Sequence, residues 1–114
     1  MEIKVLITKE DANDLKDFAE NWYPDFLKGT VDLENRKVAI GGDYHMESCE
    51  VLTNIGGKHS DIWGFNIRFL ENGINQIEFD SLVNIKPKIN NGRVVEDEEL
   101  KKEIEKLILE FIKI

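Results

Sequence analysis

The chain has little cysteine, little proline and no long apolar run. Its single cysteine, Cys49, cannot close a disulfide within the chain, which excludes a disulfide-stapled fold and fits a reducing compartment. No stretch approaches the ~18 apolar residues of a membrane-crossing helix, and the apolar part of the opening MEIKVLITKED is too short for a signal-peptide core. A cytoplasmic location is therefore the expectation. Basic residues are the scarcer charge, 15 against 23 acidic ones, for a formal net charge of -8. Such a surface repels phosphate backbones and anionic headgroups, so neither nucleic acid nor membrane is an expected partner. There is no glycine-rich phosphate loop, no G-x-S-x-G elbow and no C-x-x-C pair, and the sequence names no cofactor.

What is present is ordinary for a folded protein. Hydrophobic residues make up 41% and charged residues 33% of the 114. One domain spanning residues 1–114 is expected, with a core hiding roughly 65% of the unfolded surface.

Ile3, Val5 and Ile7 alternate with Glu2, Lys4 and Leu6, the pattern of a short strand. In the following TKED, Thr8 and Asp11 have the spacing of a capping box, which predicts a helix from Lys9. Its apolar stripe is Ala12, Leu15, Phe18, Ala19 and Trp22, and Pro24 prevents continuation past Tyr23. Val31 and Leu33, then Val38 and Ile40, form a first hairpin if a two- or four-residue turn at Glu34-Asn35 joins them, and Gly41-Gly42 ends it. Trp63, Phe65, Ile67 and Phe69 alternate on one strand of a second hairpin, and Ile77, Phe79, Val83 and Ile85 share a parity on the next. A three-residue turn, Glu71-Asn72-Gly73, sets Ile67 opposite Ile77 and Phe65 opposite Phe79. Asp97 is a good N-cap for a last helix with the stripe Leu100, Ile104, Leu107, Ile108 and Phe111. The expectation is an α+β domain: a mainly antiparallel sheet of about five strands, ordered β-α-β-β-β-β-α, with two helices packed on one face.

With the aromatic side chains facing the helices, the other face of the second hairpin carries Ile62, Gly64, Asn66 and Arg68, and Gln76, Glu78, Asp80, Leu82 and Asn84. In this register Asn66 lies opposite Glu78 and Gly64 opposite Asp80, leaving a gap beside an acid. A sheet with one wet face would look the same without any site. Ile62 and Leu82 need a cover, however, and the connection from Gly41 to Ser60 is too long for a turn. It reads as a lid, with a short helix from Glu47 to Asn54 stopped near Gly56-Gly57 and with Met46, Val51, Leu52 and Ile55 as its contacts. Such a lid would bring His45 towards Asn66, Glu78 and Asp80, where an imidazole could move a proton near neutral pH. A lone loop histidine is otherwise a cap or a structural hydrogen-bonder.

His45-x-Glu47 and His59-x-Asp61 together offer two nitrogens and two oxygens to a divalent ion, although the spacing is not diagnostic. Cys49, one helical turn after His45, reads either as a thiolate or as a small buried apolar residue on the lid.

AIGGDYHMESCEVL, DIWGFNI and IEFDSLVNIKP resemble the segments of a family of small prokaryotic proteins classed as a domain of unknown function. The resemblance rests on Gly41, Gly42, His45, Glu50 and Leu52, on Asp61, Trp63, Gly64 and Asn66, on Glu78, Phe79, Ser81, Asn84, Ile85 and Pro87, and on Val95, Glu96 and Asp97. It implies that His45, Asn66, Glu78 and Asn84 belong to one family pattern. His59 departs from it, which weakens the four-ligand metal set, and the resemblance implies no catalytic assignment.

Two functional readings follow. In the first, the protein binds a small molecule at a site for hydrolytic or other acid-base chemistry. His45, Glu78 and Asp80 carry the chemistry, and Asn66, Arg68, Asn84, Arg93 and Trp63 bind the ligand. In the second, a sheet face or edge pairs with another copy to form a homodimer, without catalysis.

Overall fold

The structure is a computed structural model and describes residues 2–114. Its main sheet has five strands in the order β1-β4-β3-β5-β6, all antiparallel. These are β1 (Lys4–Val5), β3 (Phe26–Asp32), β4 (Lys37–Ile40), β5 (Ile62–Phe69) and β6 (Asn75–Glu78). A separate parallel pair joins β2 (Glu10–Asp11) to β7 (Ile112–Lys113). The helices are α1 (Lys16–Ala19), α2 (His45–Asn54) and α3 (Glu98–Phe111). Among the described residues, no helix is long and apolar enough to cross a membrane.

The α+β class and the five-stranded antiparallel sheet agree with the sequence reading, and the short strands β2 and β7 are additions to it. Both hairpin registers agree with it as well. Val31 pairs with Val38 across a four-residue connection, and Ile67 pairs with Ile77 and Asn66 with Glu78. Gly73 takes the left-handed conformation (φ 82°) in the second turn, and its amide donates to the Leu70 carbonyl. The main core fills the space between the sheet and α1 and α3, with Phe65, Leu27, Ile104, Leu107 and Ile108 fully buried. Phe65 closes over Gly29 on the central strand, where a Cβ would lie 2.5 Å from the Phe65 ring.

One expectation about the helices needs correction. The first helix does not begin at Lys9. Glu10 and Asp11 are extended and pair with the C-terminal strand, and the Asp11 carboxylate turns forward to accept from the Asn13 amide at 2.9 Å. A 3-10 turn (Ala12–Leu15) then leads into α1, so strand pairing overrides the local capping pattern. The two expected helices, α1 and α3, do share one face, and α2, the expected lid, lies on the opposite one. The chain must travel from β4 to β5, which flank β3, and α2 makes that crossing over the sheet's polar side. Cys49 and Leu52 pack there against Ala39, Ile62 and Val83 as a second, smaller core.

The second hairpin ends earlier than its alternation implies. Pairing stops at Glu78, and Asp80 makes only an isolated bridge to Val94. The chain then turns through a 3-10 helix (Leu82–Asn84), which sends Val83 to the α2 side and not to the aromatic face. Asn84 takes over the ladder's role at Gly64. Its Oδ1 accepts from the Gly64 amide at 2.7 Å, and its Nδ2 donates to the Gly64 carbonyl at 3.1 Å. The same amide reaches the carbonyls of Phe79 and Arg93. Asn90, also buried, fastens the next loop through the carbonyls of Asn84, Gly92 and Val94 and the amide of Glu96.

Removing the Asn84 amide would strand several buried backbone groups at once. Asn84→Ala should lower unfolding stability by about 2–4 kcal/mol, since each orphaned group costs about 1–3 kcal/mol. Urea denaturation measures this, and a loss below ~1 kcal/mol would contradict the role given to Asn84.

Candidate functional site

Because α2 covers only part of the polar face, a cleft of about 470 Å³ remains beside its first turn. The floor is the open half of β3 and β5, with Lys28 beside Asn66 and Phe26 beside Arg68. One wall is the start of α2, and the other is the segment from Asp80 to Val83, with Arg93 behind it.

His45 stands at the head of α2 and is 9% exposed. Gly41 and Gly42, at φ 113° and 99°, turn the chain into the helix. Glu47 caps it by accepting from the amides of Asp43 and Tyr44. The Nε2 of His45 lies 2.9 Å from the Phe65 carbonyl and 2.8 Å from Asn66 Oδ1. Asn66 Nδ2 donates to the Asp80 carbonyl at 3.0 Å, which turns the amide oxygen towards the imidazole. Both neighbours of Nε2 are thus acceptors, so Nε2 carries the proton and Nδ1 keeps the lone pair. No hydrogen bond to Nδ1 is made among the described residues, and the Cδ2 edge of the ring faces Gly64. The basic nitrogen is therefore on the edge turned away from β5.

Burial holds the His45 pKa below its ordinary value of 6.5, and the positive charge of Lys28 pushes it the same way. The hydrogen bonds to Phe65 and Asn66 and the charge of Asp80 act in the opposite direction without overcoming burial. The ring is a neutral hydrogen-bond acceptor at neutral pH.

The other expected site residues divide into two groups. Asn66, Arg68, Asp80 and Arg93 do line the cleft with His45. Arg93 Nε is 3.0 Å from Asp80 Oδ1, an ion pair by distance but poorly aligned as a hydrogen bond, so that oxygen is shielded from water without a matched donor. Glu78 is not part of the cleft wall. Its carboxylate holds Arg68 through Nε at 3.1 Å, so it orients the guanidinium and does not meet the imidazole. Asn84 is fully committed to backbone groups, and Trp63 is buried in the main core, so neither offers a free group to the cleft. The expected gap at Gly64 is filled as well, since a Cβ there would collide with Ser81.

The metal arrangement does not assemble. Glu47 is spent on capping, His59 sits in a separate 3-10 turn, and no three His, Cys, Asp or Glu side chains among the described residues are grouped to hold an ion. Cys49 is buried, and burial raises its pKa, so it is a packed thiol. Of the proposed lid contacts, Leu52 is buried, whereas Met46 and Ile55 are 46% and 49% exposed. Ser48 does more than either by hydrogen-bonding Thr30 across the interface at 2.9 Å.

Sequence reasoning missed three cleft residues. Phe26 and Lys28 escaped because β3 begins before Val31, and Gly29 obscured its alternation. Tyr44 covers Lys28, whose ammonium donates to the Asp43 carbonyl at 2.7 Å and sits 5.1–5.9 Å from the rings of Tyr23, Phe26 and Tyr44. It also missed Lys86, a buried lysine that donates to the carbonyls of His59 and Val83 and lies over Trp63, with its pKa lowered by burial. Lys86 ties the start of β5 to the turn after β6, away from the cleft.

The chain belongs to the family described as Protein of unknown function (DUF5674), whose family model matches residues 4–111. No curated protein and no solved structure matches it.

The buried neutral imidazole has a consequence for stability. The unfolded chain protonates His45 near 6.5, while the folded chain resists protonation until lower pH. Stability from this source is fully present above 6.5 and is lost as pH falls through the window down to the folded value, by at most ~1.4 kcal/mol per pH unit. His45→Gln should remove that component, so urea unfolding should show a shallower acid loss in the variant than in the wild type. Parallel pH profiles would contradict the assignment.

Proposed function

We propose that the protein binds a small molecule in the cleft beside α2, with His45 as the group that accepts a proton from the ligand or from a water it positions. The observation that carries this reading is the buried imidazole. Its Nε2–H is committed to Asn66 and the Phe65 carbonyl, which leaves Nδ1 as an unpartnered base in the wall of a 470 Å³ cleft.

In this reading Asn66 is a positioning residue. It fixes the tautomer and the ring angle, as the partner of a general base must. Being neutral, it stabilises an imidazolium less than a carboxylate would, so His45 is a weaker base than a carboxylate-backed histidine. Arg68, held by Glu78, and Arg93, held by Asp80, supply charge at two sides of the cleft. A hydrolytic step would consist of water losing its proton to Nδ1 as its oxygen attacks the bound ligand, with the proton then passed to the leaving group.

A thermal-shift screen with classes of metabolites tests this. A ligand at 100 times its dissociation constant adds about 2.7 kcal/mol. At least one class should raise the melting temperature of the wild type by several degrees and do markedly less for His45→Gln. A screen in which no class stabilises the wild type, or in which His45→Gln responds equally, would contradict the proposal.

A further inference from the structure

We infer that the ligand of this cleft is an organic oxyanion, a carboxylate or phosphate carried on an apolar body, anchored by Lys28 and Arg68. The inference rests on the cleft reading above and adds the ligand's chemical class.

The charges around the cleft run against those of the chain. Across a protein of net charge -8, the cleft wall brings together three cations, Lys28, Arg68 and Arg93, with one carboxylate, Asp80. Asp80 is matched by Arg93, and Arg68 is matched by Glu78 and more distantly by Asp25 at 3.9 Å. Lys28 is different, since no carboxylate lies within ion-pair distance of it among the described residues. Its ammonium is held by a backbone carbonyl and three aromatic rings, partners that fix its place without cancelling its charge. The Phe26 ring centroid is 5.9 Å from the Lys28 ammonium and 5.3 Å from the Arg68 guanidinium, so both cations stand near one ring on the same stretch of floor. An oxyanion placed there would meet the point charge of Lys28 and those Arg68 N–H donors that Glu78, bound at Nε and Nη2, leaves free.

The apolar part of the inference comes from the mouth of the cleft. Tyr44, Met46 and Leu82 line it and are 70%, 46% and 69% exposed. Inorganic phosphate would leave these side chains in water, whereas an aryl or alkyl body would cover them. A hydroxyl or N–H on that body would gain a further contact by donating to His45 Nδ1, because the neutral ring accepts.

The test is an amide NMR titration of the full chain with phenyl phosphate, 3-phenylpropionate, benzyl alcohol, benzylamine and inorganic phosphate. The inference expects both aryl oxyanions to shift the amides of residues 44–46 and 66–68, with the phosphate and carboxylate arms ranking the two headgroups. Benzyl alcohol, benzylamine and inorganic phosphate should bind at least about tenfold more weakly, and affinity for the oxyanions should fall as salt rises past ~150 mM. Lys28→Met should weaken oxyanion binding about tenfold or more. Arg68→Met serves as the second variant should Lys28→Met lose its dispersed spectrum. Tighter binding of benzyl alcohol or benzylamine would overturn the oxyanion inference and leave the cleft reading standing. Shifts confined to other parts of the chain, or none with any probe, would overturn the inference, and a failed metabolite screen beside it would remove the cleft reading too.

Discussion

The missing side chain at Gly64 is the constraint on which the other contacts converge. Three side chains reach β5 at that residue. Ser81 occupies the space a Cβ would need, Asn84 takes both backbone hydrogen bonds, and the Cδ2 edge of His45 lies alongside. Any larger residue would push the post-β6 turn and the head of α2 away from the sheet together. Gly64 thus couples the end of the β6 ladder to the seat of the lid helix.

That coupling explains why a cleft exists at all. A helix crossing from β4 to β5 could have covered the whole polar face. Instead α2 is pinned at its first turn by His45 and further along by Ser48 to Thr30 and by Cys49 and Leu52 on the small core. The pins on β5 fall between Ile62 and Asn66, so the Arg68 end stays open. The cations of β3 and β5 are left at the bottom of that opening, and the imidazole stands at its rim. The same burial that seats the helix keeps the ring neutral, so a structural contact and a chemical property have one cause.

Much of this was legible in the residues and some was not. The hairpin registers followed from alternation because a one-residue slip would have turned Ile67 and Ile77 to the wrong face. The lid, its glycine boundaries and the meeting of His45 with Asn66 followed from the length of the connection and the need to cover Ile62. Alternation misled after Glu78, where Val83 and Ile85 kept the right parity while the chain had already left the sheet. A side-chain amide that substitutes for a strand leaves no periodic signal, so Asn84 looked like a ligand contact when it is a backbone substitute. Glu78 was read as a partner of the imidazole because the strand face alone does not reveal that Arg68 claims it first. The helix start at Lys9 failed because the pairing of Glu10 and Asp11 with Ile112 and Lys113 is a contact about a hundred residues distant in sequence.

The central claim is that His45 is held as a neutral ring with its proton on Nε2 and its basic Nδ1 free. Long-range proton–nitrogen NMR of the imidazole at pH 7 tests it most directly. The account predicts a protonated Nε2, hydrogen-bonded and slow to exchange, and an unprotonated Nδ1. A proton on Nδ1, or a doubly protonated ring at that pH, would contradict it.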